Sequence, residues 1–378
     1  MKCTLSYWEK HSFFNYDVII IGSGIVGLSC AIHLKKTSPN LKIAVLERGF
    51  LPSGASTKNA GFACFGSISE LIEQEKTAGS DGLAKLIESR WKGLLKLRKL
   101  IGDKTMDYHC FGGYELFKKT DHSTTQHSVA KIEHFNQLLD DIVGKNTFSV
   151  CNEKIDVFGF KNISQLIFNK YEAQIDTGKM MFALIEHAQK TGISIFNNCE
   201  VSEIINEEKS ITLKTPAGEF HCNQLAIATN AFVQTLLPEL NIKPGRGQVL
   251  ITKPIPNLKL TGTFHYDKGF YYFRNINQRI LLGGGRNLDF KSEETTEFGE
   301  TELVQASLEE LLKTVILPRQ YFEIDLRWSG IMSFGSILEP LISTVDANIS
   351  YATRCNGMGV AIGSQTGEDL ANEVLKLL

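Results

Sequence analysis

Three glycines and one glutamate carry the first readable chemistry of the chain. The stretch YDVIIIGSGIVGLSCAIHL covers residues 16–34, and Gly22, Gly24 and Gly27 stand in it as G-x-G-x-x-G. Gly22 suits a tight turn, Gly24 lets a pyrophosphate approach the main chain, and Gly27 lets a helix pack closely on the strand before it. Ser23, Ile25 and Val26 complete a loop that opens into a helix, whose free N–H groups and positive dipole end attract phosphate. Glu47 falls 20 residues beyond Gly27, where an acid accepts hydrogen bonds from the adenosine ribose. That acid argues against a 2'-phosphate, with neighbouring Arg48 leaving a small opening for one. The same residues serve the ADP half of FAD or of NAD, so they do not choose between them.

The elements that must position these groups are short and apolar. Residues 17–21 read as a buried parallel strand, 25–36 as a helix ending before Pro39, and 43–46 as a second strand ending at Glu47. Three distant segments then look suited to a longer cofactor. SGASTKNAGFA at 53–63 combines small residues with hydrogen-bonding Ser56, Thr57 and Asn59. CNQLAIATNAF at 222–232 is an apolar strand broken at its carboxyl end by Thr229 and Asn230, after Ala228. RCNGMGVAIGSQTGEDLANEVLKLL closes the chain with a glycine turn, Asn356, Gly357, Met358, Gly359 and Val360, that opens the last helix.

Together these stretches resemble the D-amino-acid oxidase and glycine oxidase superfamily of FAD-dependent oxidoreductases, which includes sarcosine oxidases and amine or amino-acid dehydrogenases. The resemblance runs from DVIIIGSGIVG to NGMGVAIGSQTG, with a looser match in the middle of the chain. It implies FAD as cofactor, with Gly54, Ala55, Ser56, Thr57, Asn59, Ala60 and Gly61 running along the pyrophosphate towards the flavin. It also implies that Val201 lies beside the adenine through its main chain, that Gly330 contributes to the cofactor site, and that N–H groups of residues 357–360 stabilise negative charge on reduced flavin at N1 and O2.

The implied fold class is α/β: a discontinuous Rossmann-like FAD-binding domain with an inserted mixed or antiparallel-sheet substrate domain. We expect the FAD-binding domain over 13–107, 174–232 and 328–378, and the substrate domain over 108–173 and 233–327. Expected strands in the insert cover residues 114–117, 245–252, 269–273 and 279–285. Residues 68–102 show the three-and-four spacing of a long helix, whose Lys and Arg residues should form a solvated face. Residues before Asn15 read as an extension that packs Trp8 and Phe13 onto the surface.

The expected reaction is oxidation of the C–N bond of a small amine or amino acid by hydride transfer to flavin N5, giving an imine. Tyr271 and Tyr272 lie on one expected strand, so alternation turns one of them towards the flavin and the other away. His265 upstream is a further candidate to orient an amine, and for each of the three a structural packing role is the reading to beat. Amino-acid-oxidising members of the resembled family carry Gly, an apolar residue and Arg on the strand entering the last flavin segment. In WSGIMSFGSILEPLIS that place is held by Met332. A substrate without an α-carboxylate fits this departure, as in relatives that oxidise polyamine derivatives; otherwise a carboxylate would be bound by Arg274, Arg286 or Arg327. Some sarcosine oxidases bind FAD covalently through a Cys ahead of this region. Residues 328–345 contain none, so noncovalent FAD is expected.

Composition narrows the remaining classes. The 378 residues are 43% hydrophobic and carry 40 basic against 42 acidic groups, net −2, so nothing favours a nucleic acid or an anionic membrane. The partner is a small molecule, and either oxygen or a quinone would reoxidise the flavin. Eight cysteines show no C-x-x-C pair and no local Cys/His cluster, so no metal is expected, and a reducing, cytoplasmic location is. No transmembrane helix or signal peptide is expected either. Two other readings stay open: an FAD-dependent 2-hydroxy-acid dehydrogenase, and a noncatalytic flavoprotein.

Overall fold

The run from Val18 to Ile21 is apolar at every position, which suits a strand covered on both faces. In the computed structural model, which describes residues 4–207 and 210–378, that strand spans Asn15–Ile21 and lies inside a mixed sheet. The chain divides into two compact units, residues 1–57, 178–243 and 333–378, and residues 58–177 and 244–332. Both units are discontinuous. The division puts residues 58–107 with the second unit, whereas they were expected to pack with the first.

The first unit is built on a sheet ordered Leu341–Asp346, Ile349–Thr353, Gly218–Ile227, Asn15–Ile21, Ile43–Leu46 and Ser194–Phe196. All neighbours pair in parallel except the first two, and strands Glu203–Glu207 and Ser210–Thr215 extend it as an antiparallel flap from Gly218–Ile227. Its carboxyl ends carry Gly22, Glu47 and Ala228. Helices Ile25–Thr37 and Gly359–Leu377 pack against each other closely because two glycines permit it. A Cβ on Gly363 would lie 2.8 Å from Ile25 Cγ2, and one on Gly367 would lie 2.5 Å from the Val26 carbonyl. The pairing of 363 with 25 and of 367 with 26–30 runs the helices in the same direction. Both N-termini therefore reach the same end of the unit, the last helix starting about one turn, ~6 Å, further out.

Helix Tyr7–Phe13 precedes the sheet and is held by a capping box between Ser6 and Glu9. Trp8 and Phe13 do not pack down as expected: they are 73% and 50% exposed. The anchor is Phe14, buried with its ring 4.6 Å from that of Phe220. Capping fixes the helix locally, so its aromatic side chains need no tertiary contact.

The second unit carries a sheet ordered Ile324–Phe334, Lys243–Thr252, Arg279–Gly284, Tyr271–Ile276, Thr263–Tyr266, Gly113–Lys118, Ile163–Asn169 and Phe148–Val150. Among the pairs whose register is resolved, only Thr263–Tyr266 with Gly113–Lys118 is parallel. The strand expected at 269–273 begins later, at Tyr271, because Gly269 takes φ +79° in the turn before it. One face packs on helix Glu302–Leu311 through Leu250, Phe264, Phe273, Leu282 and Leu308. Helix Ile68–Ile101 forms where its spacing predicts, with a break at Gly79. One of its cations is not solvated: Arg90 is 2% exposed and donates to the Phe65 carbonyl and to Gln74 Oε1. A long stem and a planar fork let arginine bury where its donors meet fixed acceptors.

Candidate functional site

The first unit gathers the nucleotide motif into one cradle. Gly22 has φ +104°, and a Cβ there would meet the Ala228 carbonyl at 2.7 Å. Gly24 caps helix Ile25–Thr37 without any side chain of its own. A Cβ at Gly24 would lie 2.8 Å from Ser56 Oγ, which itself accepts a hydrogen bond from the Ile25 N–H. Ser56 thus closes the first turn of the helix, and the glycine keeps the approach to the main chain open. Thr229 Oγ1, at the carboxyl end of Gly218–Ile227, is buried with no hydrogen-bond partner. A second helix start, at Met358 and Gly359, also lacks a capping side chain, and Gly357 before it takes φ +81°.

Glu47 is buried and holds this region together. One carboxylate oxygen accepts from Ser23 N and Ser23 Oγ, at 3.1 and 2.8 Å. The other accepts from Gly49 N, Ser53 N and Ser53 Oγ, at 3.0, 3.3 and 2.8 Å. Arg48 points elsewhere, stacked 3.8 Å over the Phe232 ring with its Nε donating to Ser53 Oγ. Asn230 accepts from Ser333 Oγ through its side chain and from Thr353 Oγ1 through its carbonyl. Asn356 donates to the Ile337 and Leu338 carbonyls, which fixes the final glycine turn. Val201 is buried in the apolar cluster around Ile19, Leu46 and Phe220.

In the second unit the sheet register decides which side chains share a face. Val249, Gly283, Tyr272, His265, Glu115 and Ile167 stand in one row across five strand pairings. Tyr271 points the other way and bonds Ser307 Oγ at 2.9 Å, so Tyr272 is the tyrosine on this face. Its ring lies across Gly283, where a Cβ would meet ring atoms at 2.6–2.7 Å, and its hydroxyl reaches towards Gly247. Among the described residues that hydroxyl has no hydrogen-bond partner. Met332 Cε would lie 2.8 Å from a Cβ on Gly247, so Met332 borders the same spot. Phe62 stands edge-on to both Tyr272 and His265, at 5.6 and 5.5 Å. Burial pushes the Tyr272 phenol up to about 12, which keeps it a neutral hydroxyl at any working pH.

Arg274 follows Tyr272 on the same face, with its Nη1 committed to the fold and its Nε buried without a partner. Its Nη1 donates to the Gly61 and Ile175 carbonyls at 3.1 and 2.8 Å, and burial pulls the guanidinium down to about 10. Arg327 pairs with Gln305 and Glu309, and Arg286 stacks on Phe290. Asn59 Oδ1 accepts from Gly61 N and Thr177 Oγ1, and the Thr57 hydroxyl donates to the Pro52 carbonyl. Gly330 lies where a Cβ would press on Lys58 Cβ at 3.1 Å.

The FAD dependent oxidoreductase family model, DAO, matches residues 17–373. The chain belongs to this family. Its members bind FAD, and this member is accordingly an FAD-dependent oxidoreductase. It is 23% identical to hydrogen cyanide synthase subunit HcnC of Pseudomonas protegens, covering 95% of this chain and 93% of that one. Identity to glycine oxidase of Bacillus subtilis is 20%, covering 96% and 93%. Among solved structures, glycine oxidase from Geobacillus kaustophilus superposes with TM-score 0.75 at 18% identity, covering 95% of both chains. L-proline dehydrogenase from P. horikoshii gives 0.74 at 17%, covering 96% and 94%. These structures share the fold. Among the described residues, no helix of this FAD-dependent oxidoreductase is long and apolar enough to cross a membrane.

The cradle fits the family's cofactor: glycines where a Cβ would collide, two uncapped helix starts at one end of the unit, and an orphaned Thr229 hydroxyl. What sequence reading missed is a buried polar cluster behind Phe62. Glu172 Oε1 accepts from His265 Nε2 at 2.6 Å and Thr263 Oγ1 at 2.8 Å, with Glu70 Oε2 3.6 Å from His265 Nδ1. Glu115 accepts from Ser69 N and Oγ. Burial alone would lower the His265 pKa, but Glu172 together with Glu70 and Glu115 outweighs it and takes the imidazole up to about 9. Burial pushes Glu115 up to about 7 against its bonds from Ser69. Its members stand at positions 69 to 265, so no local spacing could have revealed the cluster.

Proposed function

We propose that this FAD-dependent oxidoreductase oxidises the C–N bond of a small amine or amino acid to an imine, with an amine lacking an α-carboxylate as the favoured substrate. Bound FAD supplies the two-electron oxidation of the carbon beside nitrogen. The cofactor half rests on Gly22, Gly24, Gly27, Ser56, Thr229 and the residue 357–360 turn in the first unit, with ribose hydroxyls sharing the Glu47 carboxylate with Ser23 and Ser53. The substrate half rests on the sheet face of the second unit.

The observation that carries this reading is Tyr272. Its neutral hydroxyl is unpartnered, and glycines at 247 and 283 leave room around it. Apolar walls from Met332, Phe62 and Trp328 suit the carbon groups flanking an amine, while Tyr272 Oη accepts from, or donates to, its nitrogen. The names of the relatives point towards amino acids. On this face, however, Met332 borders the Tyr272 hydroxyl, His265 is bound to Glu172, and Arg274 gives its Nη1 to two carbonyls, which leaves its buried Nε edge as the donor a carboxylate would have to reach.

The deciding measurement is anaerobic bleaching of the flavin with a panel of secondary amines, N-methyl amino acids, D-amino acids and 2-hydroxy acids. Amines should bleach it fastest; reduction only by 2-hydroxy acids, or by nothing on the panel, would overturn the reading. In the variant Tyr272→Phe, FAD content should hold while the reduction rate falls by about ten- to a hundredfold, about 1.4–2.7 kcal/mol. An unchanged rate would remove Tyr272 from the site.

FAD is held noncovalently in this reading. Cys355 is the cysteine nearest the final turn, and burial pushes its thiol up to about 11, far from a reactive thiolate. Acid precipitation should leave the yellow colour in the supernatant. Colour in the pellet would show a covalent bond.

A further inference from the structure

The cluster behind Phe62 has the donors, the charge and the register of a metal site. Cys64 Sγ, a Glu172 carboxylate oxygen and a His265 ring nitrogen all lie within 4.8 Å of one another, and all three residues are buried. Their placement follows from pairing. Phe62 and Ala63 pair with Gln174 and Ala173 in a two-stranded ribbon, so the next residues outward, Cys64 and Glu172, face each other. His265 comes from the large sheet beneath. We propose that Cys64, Glu172 and His265 bind one divalent metal ion of the zinc class, which staples this ribbon to the sheet.

Three further observations support a ligand there. Glu172 Oε2 is enclosed and has no hydrogen-bond partner, a state that a buried carboxylate oxygen does not keep without cost. It borders a cavity just large enough for one water molecule, shared with Ser67, Asn169, Glu115 and His265. Ser67 Oγ and Asn169 Nδ2 also lack partners and also line it, so a metal-bound water would have hydrogen-bonding neighbours. Gly113 makes the arrangement possible, since a Cβ there would sit 2.3 Å from Glu172 Oε2.

Ligand chemistry selects the metal. One imidazole, one carboxylate and one thiolate form a mixed N, O, S set of the kind zinc accepts, with water as the fourth ligand. Glu70 lies 3.6 Å from His265 Nδ1, the place of the carboxylate that orients a metal-bound histidine. Binding replaces the His265 Nε2 proton shared with Glu172 and the Cys64 thiol proton. Two protons leave, and Zn²⁺ is balanced by thiolate and carboxylate.

The test uses untagged, FAD-loaded chain, given one equivalent of zinc chloride, desalted and assayed for metal. About one zinc per chain is expected, and Co²⁺ in its place should give tetrahedral d–d bands to the red of the flavin absorption. Cys64→Ser and His265→Asn should weaken zinc binding by at least about a hundredfold, and Glu70→Gln, which removes no ligand atom but changes the partner of His265 Nδ1, by about tenfold. If the ligand variants do not fold, the wild-type stoichiometry, the cobalt spectrum and Glu70→Gln still decide. Less than about a tenth of an equivalent on the wild-type chain would overturn the proposal and leave His265 an imidazolium paired with Glu172. So would zinc retained unchanged by both ligand variants.

Discussion

The variant Gly27→Ala should purify colourless and should take up added FAD at least about tenfold more weakly than wild type, a loss of ~1.4 kcal/mol or more. A single methyl group has this effect because of what it meets. A Cβ at residue 27 would stand 1.9 Å from the Gly22 carbonyl oxygen and 3.3 Å from Ile20 Cγ2. The first obstacle is main chain, so no rotamer change relieves it. Overpacking against movable side chains costs about 1–3 kcal/mol, and a rigid obstacle at a buried turn puts the expected destabilisation at about 3 kcal/mol. Strand and helix must separate, which removes the phosphate from the helix N-terminus. Gly363→Ala provides a contrast: its Cβ meets Ile25 Cγ2, a side-chain atom, so a smaller loss is expected. Flavin absorbance per chain and the urea midpoint report both effects. A yellow Gly27→Ala protein with a wild-type midpoint would refute the close packing.

Second in expected size is Glu47→Ala. Its carboxylate receives five hydrogen bonds, from the main chains of Ser23, Gly49 and Ser53 and from the hydroxyls of Ser23 and Ser53. Truncation leaves these buried or half-buried donors without an acceptor. At about 1–3 kcal/mol for each donor that water fails to reach, a loss of roughly 2–4 kcal/mol follows. Glu47→Gln keeps one accepting oxygen and turns an NH₂ towards the other donors, so it should fall between. FAD affinity should drop in the same order, since Glu47 links the phosphate turn at Ser23 to the segment after the second strand. Calorimetric unfolding and FAD titration of the three proteins check this. Equal midpoints for all three would show that Glu47 does not hold the turn.

Much of the first unit was legible in the chain itself. The strands at 15–21 and 43–46, the helix between them and the glycine turn obey local rules. Apolar runs, positive φ at glycine and a fixed distance to an acid all operate within about thirty residues. The second helix start, at residues 357–360, was legible for the same reason. Its approach to the first through Gly363 and Gly367 was not, because nothing local distinguishes a packing glycine from a flexible one.

Sequence alone thus determined the nucleotide motif, the strands that carry it and the glycine turn before the last helix, because each is written in neighbouring residues. Only the tertiary structure decided that Tyr272 and not Tyr271 shares a face with Phe62, since alternation fixes opposite directions but not which one is the covered core. It also decided that Arg90 and Arg274 turn inward and give Nη1 to backbone carbonyls, that residues 58–107 pack with the second unit, and that Cys64, Glu172 and His265 meet. Those outcomes depend on the order and register of strands far apart in the chain, and pairing between distant strands leaves no trace in the spacing of a single sequence.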